Sequence, residues 1–375
     1  MNTNLRILTY FSRFLLNFLF LINLESYASD SLRLISYQNI STGEKFSETE
    51  IGGLSGIVYD KNQKRLIAIS DDRAFVNDAR FYEFNLLMTD KIFSVAPVLV
   101  TKLKNKDGML FKKGYPDFEG ITFWGQNILV SSEGGVNRIN PIEPELFLFK
   151  RNGDYLENFP VPEKFLPSKI LTKRNEMGIR DNKAFETLST SLDGKLVFMA
   201  SEEALFQDGP ISTINNNSHV RLIIYKEKKP TKEFVYKLEK VEALKTVDLS
   251  PGEIGLTDMA VIDERNFYSL ERTYLPFQNK NIIKIFKCKI TDQSTDVSKI
   301  ASLKDVSFIS IEKELVADLD DYLPLMNPPR LDNIEGLAFG PELANGNQTL
   351  IVVSDNNFGK NQRTLFMGFE ILPKK

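Results

Sequence analysis

The sequence predicts an all-β protein built as a β-propeller with five visible blade repeats. Three observations predict it: one plan of short apolar strands recurs five times, the repeats are nearly evenly spaced, and no segment sustains a helical period over several turns.

The N-terminus precedes the repeats. Arg6 and Arg13 lie in an acid-free start, followed by the apolar run from Phe14 to Leu24 and the small residues of Ser26-Tyr27-Ala28. This is the layout of a signal peptide over 1–28 with cleavage after Ala28, leaving one domain over 29–375 that starts at Ser29. An uncleaved anchor is the alternative reading. The absence of a nearby cysteine excludes a lipoprotein, and no later run of eighteen apolar residues follows, so the mature chain is expected to be periplasmic or secreted without stable membrane insertion.

The first repeat runs through Gly53-Leu54-Ser55-Gly56-Ile57, Arg65 to Asp72 and Arg80 to Phe84. The second runs through Phe118-Glu119-Gly120-Ile121, Ile128 to Glu133 and Leu146 to Phe149. The third carries Phe185-Glu186-Thr187-Leu188, Leu196 to Glu202 and Leu222 to Tyr225. The fourth carries Leu256-Thr257-Asp258-Met259, Phe267 to Arg272 and Ile282 to Phe286. The fifth carries Ile334-Glu335-Gly336-Leu337, Leu350 to Asp355 and Leu365 to Phe369. Taking Ser55, Glu119, Glu186, Asp258 and Glu335 as equivalent, the intervals are 64, 67, 72 and 77 residues. Such a period suits blades that bury their faces only against neighbours. Asp193-Gly194 and Asn152-Gly153-Asp154 supply hairpin turns. The interval from Arg151 to Lys183 has room for strands of a sixth blade. The stretch Leu32–Tyr37 precedes the first repeat and is expected to complete the last blade, closing the ring.

An acid at one position of every inner strand lands on a ring around the propeller axis. Glu119, Glu186, Asp258 and Glu335 form one expected ring. A second set, Asp71, Glu133, Glu202, Glu271 and Asp355, ends the adjacent strand at the same end of each blade. Crowded carboxylates repel unless cations or arginines neutralise them. An oxygen-only donor set suits Ca²⁺, or less well Mg²⁺, better than zinc, because His219 and Cys288 are the only histidine and cysteine. The bland alternative is that such acids brace turns through backbone amides. Against it, Ser70-Asp71, Ser132-Glu133, Ser201-Glu202 and Ser354-Asp355 each follow an apolar strand directly. Arg73, Arg180, Arg272 and Arg363 lie close to these acids in sequence, and guanidinium groups grip phosphate oxygens in bidentate fashion. Taken singly, each arginine reads equally as a surface ion-pair partner.

Composition excludes other classes. A net charge of -3 gives no basic field for nucleic acid, and the lone cysteine excludes an intrachain disulfide. His219 reads as a loop histidine. The missing Gly-x-Ser-x-Gly elbow and the single histidine argue against a Ser-His-Asp triad; Arg-His-Gly-x-Arg and Cys-x5-Arg phosphatase signatures are missing too.

Phe118-Glu119-Gly120-Ile121, Asn182-Lys183-Ala184-Phe185-Glu186-Thr187-Leu188, Ser269-Leu270-Glu271-Arg272 and Asn333-Ile334-Glu335-Gly336-Leu337-Ala338, with the Ser-acid strand ends, resemble the phytase-like family of exported bacterial propellers. The resemblance spans about Gly52 to Phe369. It implies a proposed phosphoesterase activity attributed to the many acidic residues. Two departures stand out: Thr187 replaces a glycine, and Ser55 replaces an acid. With it, Glu119, Glu186, Glu335, Arg180 and Arg272 become candidate catalytic residues. Arg73 and Arg363 become candidate substrate contacts, and Asp71, Glu133, Glu202, Asp258, Glu271 and Asp355 candidate metal ligands. Two readings stand: a calcium-assisted hydrolase of a small phosphorylated substrate, or a non-catalytic binding or scaffolding propeller with a structural ion. A monomer is expected.

Overall fold

The computed structural model describes residues 30–136, 141–242 and 252–374, so the expected leader and its cleavage site lie outside the described residues. The chain opens with β1 (Ser31–Ser41) and a small hairpin, β2 (Lys45–Phe46) and β3 (Thr49–Glu50). Blade one follows as β4 (Leu54–Asp60), β5 (Arg65–Ser70), β6 (Arg80–Met88) and β7 (Phe93–Lys102). Blade two is β8 (Phe118–Trp124), β9 (Asn127–Ser132), β10 (Glu145–Phe149) and β11 (Tyr155–Phe159). Blade three is β12 (Phe185–Thr190), β13 (Leu196–Ser201), β14 (His219–Lys226) and β15 (Lys229–Lys237). Blade four is β16 (Glu253–Val261), β17 (Asn266–Leu275), β18 (Lys280–Lys289) and β19 (Glu312–Asp318). Blade five is β20 (Asn333–Phe339), β21 (Thr349–Asp355) and β22 (Arg363–Leu372), completed by β1.

Each blade is a four-stranded antiparallel sheet, and β1 pairs with β22 from Ser31 opposite Leu372 to Ser41 opposite Arg363. The ring is thus closed by the N-terminal strand, as the sequence predicts. There is no sixth blade among the described residues. The interval from Arg151 to Lys183 holds β11 and two short 3-10 turns at Glu163–Phe165 and Leu171–Lys173. His219 opens β14 rather than lying in a loop, and its ring packs edge-on against Phe308 at 5.1 Å.

The core is five layers between neighbouring blades. Phe118 and Phe147 of blade two pack on Ile67 and Phe81 of blade one. Leu188 and Ile223 of blade three meet Leu129 and Leu148 of blade two. Phe267 and Met259 of blade four meet Phe198 and Leu222 of blade three, and Leu337 and Val352 of blade five meet Leu270 and Ile285 of blade four. Ile351 and Phe366 close the circuit against Ile57 and Phe84 of blade one. Alternating apolar positions therefore face both neighbours, which is why neither face of a blade reads as polar in sequence.

One local feature positions the site. The ladder between the two innermost strands shifts register at the same place in every blade: Leu54/Ile57, Phe118/Ile121, Phe185/Thr187, Leu256/Asp258 and Ile334/Gly336. A bulge inserts an extra residue and re-aims its side chain. The re-aimed positions include Ser55, Glu119, Glu186, Thr257 and Glu335.

Candidate functional site

The ladder registers show which residues are equivalent. Phe118 faces Ser132, Phe185 faces Ser201, Ile334 faces Ser354 and Leu54 faces Ser70, but Leu256 faces Glu271. In blade four, then, Thr257 occupies the inner carboxylate position, Glu271 the serine position and Arg272 the second carboxylate position. The sequence alignment of that blade is one residue out of step. A one-residue slip in a strand sends every side chain to the other face.

The consequences are visible in the contacts. Asp258 stands where blades one, two and five have Gly56, Gly120 and Gly336, beside the next blade's backbone. Its carboxylate accepts the amides of Met259 at 2.8 Å and of Leu337 in blade five at 2.7 Å. Burial pushes the Asp258 carboxyl well up, and these backbone bonds pull it back. Glu271 turns away toward the Tyr236 hydroxyl at 2.6 Å and the Lys313 ammonium. Neither joins the other acids. Changing Asp258 to Ala leaves the Leu337 amide without its acceptor and is expected to cost about 2–3 kcal/mol, with calcium affinity unchanged. Urea unfolding and calcium titration of the variant check this.

The remaining expected acids gather at one mouth. Carboxylate oxygens of Glu119, Glu133 and Glu186 lie within 4.8 Å of one another, as do those of Asp71, Asp117 and Glu119. Asp117, just before β8, carries no repeat signal, since Gly53, Ala184, Gly255 and Asn333 hold the equivalent positions. Ser55 donates to Glu119 at 2.5 Å across the blade boundary, and the Ala184 amide donates to Glu133 at 2.7 Å. Glu186 Oε2 is buried with no hydrogen-bond partner. Three serines of the Ser-acid pairs bond backbone: Ser70 donates to the Gly52 carbonyl at 2.7 Å, Ser201 to the Glu203 carbonyl at 2.7 Å and Ser354 to the Arg363 carbonyl at 2.8 Å, while the Ser132 hydroxyl is buried with no hydrogen-bond partner.

Burial and mutual repulsion set the protonation of this cluster. Burial first, then Asp117 and Glu202, push Glu133 up to about 8. Burial pushes Glu335 up to about 8 as well, with Arg272 opposing and Asp355 adding to the rise, while Asp355 rises to about 6. Burial raises Asp71, Glu119 and Glu186 well above the carboxylate range, reinforced by Asp117, Asp71 and Glu133 respectively.

Cations sit on two sides. Arg73 pairs with Asp117 and lies 3.7 Å from Asp71; burial opposes its charge, but these acids hold it above its ordinary value. Arg272 reaches Glu202 at 3.4 Å and Glu335 at 3.5 Å, and Lys183 reaches Glu202 at 3.4 Å and Glu253 at 3.0 Å. Despite burial, Glu335, Glu202 and Glu186 hold the Arg272 guanidinium above its ordinary value. Gly255 makes room for this arrangement, since a Cβ there would lie 2.1 Å from Glu202 Oε1. A cleft of about 370 Å³ opens here, lined by Lys183, Glu202, Arg272, Asn281 and Glu335, and Arg272 Nε and Asn281 Oδ1 have no hydrogen-bond partner in it.

Two expected arginines are committed elsewhere. Arg180 donates to the carbonyls of Ala204 at 2.8 Å and Gly209 at 2.7 Å and stacks on Phe206. Arg363 donates to Asp332 at 2.7 Å and to the Arg330 carbonyl at 2.8 Å. Neither reaches the clustered carboxylates.

The donor set fits a hard cation: oxygen atoms only, three within reach of one point, one of them unpartnered. Without a cation, stability is expected to fall as pH rises from about 5 to 8. Folded Glu133 and Glu335 keep protons up to about 8, whereas the ordinary glutamate value is 4.5, so the folded state binds more protons throughout that window. Chelator-treated protein should melt on the order of 5 °C lower at pH 8 than at pH 5.5, and calcium should recover the loss at pH 8. Equal melting at both values, insensitive to calcium, contradicts this.

A family described as "Phytase-like: esterase-like activity of phytase" matches residues 49–358. No curated protein matches. Among solved structures, the chain is similar to a glycosyl hydrolase from Bacteroides ovatus at 10% identity and TM-score 0.46, covering 93% of this chain and 98% of that one. It is also similar to a thermostable family-43 glycoside hydrolase, at 10% identity and TM-score 0.46 over 90% and 94%. The periplasmic gluconolactonase of Pseudomonas aeruginosa scores 0.36 at 10% identity, over 90% of this chain and 100% of that one.

Proposed function

The chain belongs to the phytase-like family, and from that premise we propose that it is an exported phosphoester hydrolase that works with a divalent cation, calcium before magnesium, at its acidic mouth. The observation that carries the reading is the division of that mouth. Blades two and three present Glu119, Glu133 and Glu186, the last with a buried oxygen that has no hydrogen-bond partner, and blade four presents Arg272 where the other blades present acids. Glu119, Glu133 and Glu186 would hold the cation, which supplies Lewis acidity toward a phosphoryl oxygen when bound.

The chain's own residues divide the remaining work. Arg272, with Nε unpaired, and Lys183 face the cleft and bind the phosphoryl oxygens. Water attacks phosphorus as the bond to the leaving oxygen breaks, a carboxylate of the cluster takes the water's proton, and Glu335, pushed up to about 8 and protonated at neutral pH, gives its proton to the leaving oxygen. Arg73 clamps Asp71 and Asp117 and keeps that flank from repelling the substrate. Export rests on the signal-like N-terminus, and no helix among the described residues is long and apolar enough to cross a membrane.

A structural-ion reading draws support from burial, since Glu119 is 4% and Glu133 2% exposed. Assay of the mature chain against a chromogenic phosphomonoester, a phosphodiester and phytate, with calcium and with chelator, separates the two. Hydrolysis that requires calcium supports the enzyme. Bound calcium that raises the melting temperature without hydrolysis of any of the three overturns it.

A further inference from the structure

Among the described residues, two large apolar neighbours are both exposed at three places: Phe75-Val76, Met109-Leu110 and Ile170-Leu171. Single exposed hydrophobics are ordinary on any surface, but grouped ones mark a contact. All three pairs lie in loops that adjoin the acidic mouth. Phe75 follows shortly after Asp71, the second loop runs into Asp117 and Glu119, and the third runs into Glu186.

The turns hold these side chains outward. Asp72 accepts the amides of Phe75 at 3.0 Å, Val76 at 2.7 Å and Asn77 at 2.8 Å. Asn105 accepts the amides of Asp107 at 2.9 Å and Met109 at 3.1 Å, while Phe111 anchors that loop against Phe118 and Phe147. Ile170 and Leu171 open a 3-10 turn set between buried Phe165 and buried Arg174. Met109 is 59% exposed and Leu171 72%.

Lysines surround them. The exposed charges over 106–113 are Lys106, Lys112 and Lys113 against Asp107, and over 168–177 they are Lys169 and Lys173 against Glu176. Lys169 also lies 3.3 Å from Glu143. This local cationic excess stands on a chain whose net charge is -3. The mouth acids Glu119, Glu133 and Glu186 are buried and offset it little. Lys113 Nζ is 5.1 Å from the centre of the Phe75 ring, which joins the first two loops into one surface.

We infer that this rim seats on an anionic lipid surface, the apolar pairs entering the headgroup region and the lysines meeting lipid phosphates. Separate apolar tips suit a deformable apolar medium, whereas a protein partner would need a closely fitting pocket for each. Burial of the tips and attraction of the lysines add in this mode. The inference does not rest on phosphoester hydrolysis. Co-sedimentation of the mature chain with phosphatidylcholine vesicles, with and without about a third phosphatidylglycerol, tests it. Chelator is present throughout, so that calcium cannot bridge carboxylates to lipid. The chain should bind the anionic vesicles about tenfold or more tightly than the neutral ones, and less tightly at high salt. Phe75→Ser with Leu171→Ser should weaken that binding about tenfold or more, whereas Leu87→Ser with Leu192→Ser, at the opposite end, should leave it unchanged. As a second measurement, Leu171→Trp should be quenched by brominated lipid beyond the quenching of Trp124 in the unaltered chain. No preference for anionic vesicles, binding that survives the Phe75 and Leu171 changes, or no added quenching overturns the assignment. So does a dimer in sedimentation that those two changes dissolve, which gives the surface to a second copy.

Discussion

Arg272→Met is expected to be the most damaging single change at the acidic mouth, costing about 3–5 kcal/mol at pH 8. Methionine keeps most of the volume but removes the one cation that lies within 3.5 Å of both Glu202 and Glu335. Those carboxylates are buried, so their repulsion is screened little by solvent. The loss should shrink at pH 5.5. Glu335, pushed up to about 8 with Arg272 present, then carries a proton and no longer needs a counter-charge. Urea unfolding of metal-free protein at the two pH values measures this, and an equal loss at both contradicts the electrostatic account.

Glu186→Gln should move stability the other way. The amide keeps the shape and removes one negative charge from a group that burial, Glu133 and Glu202 already push toward protonation. Metal-free stability at pH 8 should rise by about 1 kcal/mol, while calcium affinity falls on the order of 100-fold, because ligand charge governs affinity at oxygen sites. Calorimetric calcium titration with parallel melting curves reads both. A destabilised variant that still binds calcium as before assigns Glu186 a bracing role, like that of Asp258.

How much was legible depended on the blade. Inner strands announced themselves through apolar runs and repeated Phe-Glu or Ile-Glu steps, and the ring closure followed from a strand-like stretch ahead of the first repeat. The outer strands were harder. β11 and β19 are largely exposed, and their mixed patterns, Tyr155–Phe159 and Glu312–Asp318, differ little from loops. Blade four misled because Asp258 and Glu271 are acids one residue from the positions that matter. No serine marks the register in blade four, where Glu271 stands opposite Leu256 as Ser70, Ser132, Ser201 and Ser354 stand opposite their inner-strand partners, so the repeat pattern carried no cue to Thr257 and Arg272. Asp117 had no counterpart in any other blade, so repetition could not reveal it. Arg180 and Arg363 were near acids in sequence, but three-dimensional neighbours, backbone carbonyls and Asp332, claimed them.

The pairing of β1 with β22 joins residues such as Arg33 and Glu370, which are 337 positions apart in the chain and bonded at 2.7 Å. Bringing such distant segments together is slow, because chain entropy must be lost before the contact is gained. Blades one to four can each assemble from local hairpins as they emerge, whereas blade five waits for both ends. Until then β22 offers an open edge, a surface on which another copy's β1 fits as well as its own. The last blade is therefore the point at which one chain's folding competes with strand exchange between chains, and a permuted protein with β1 moved behind β22 would escape that competition.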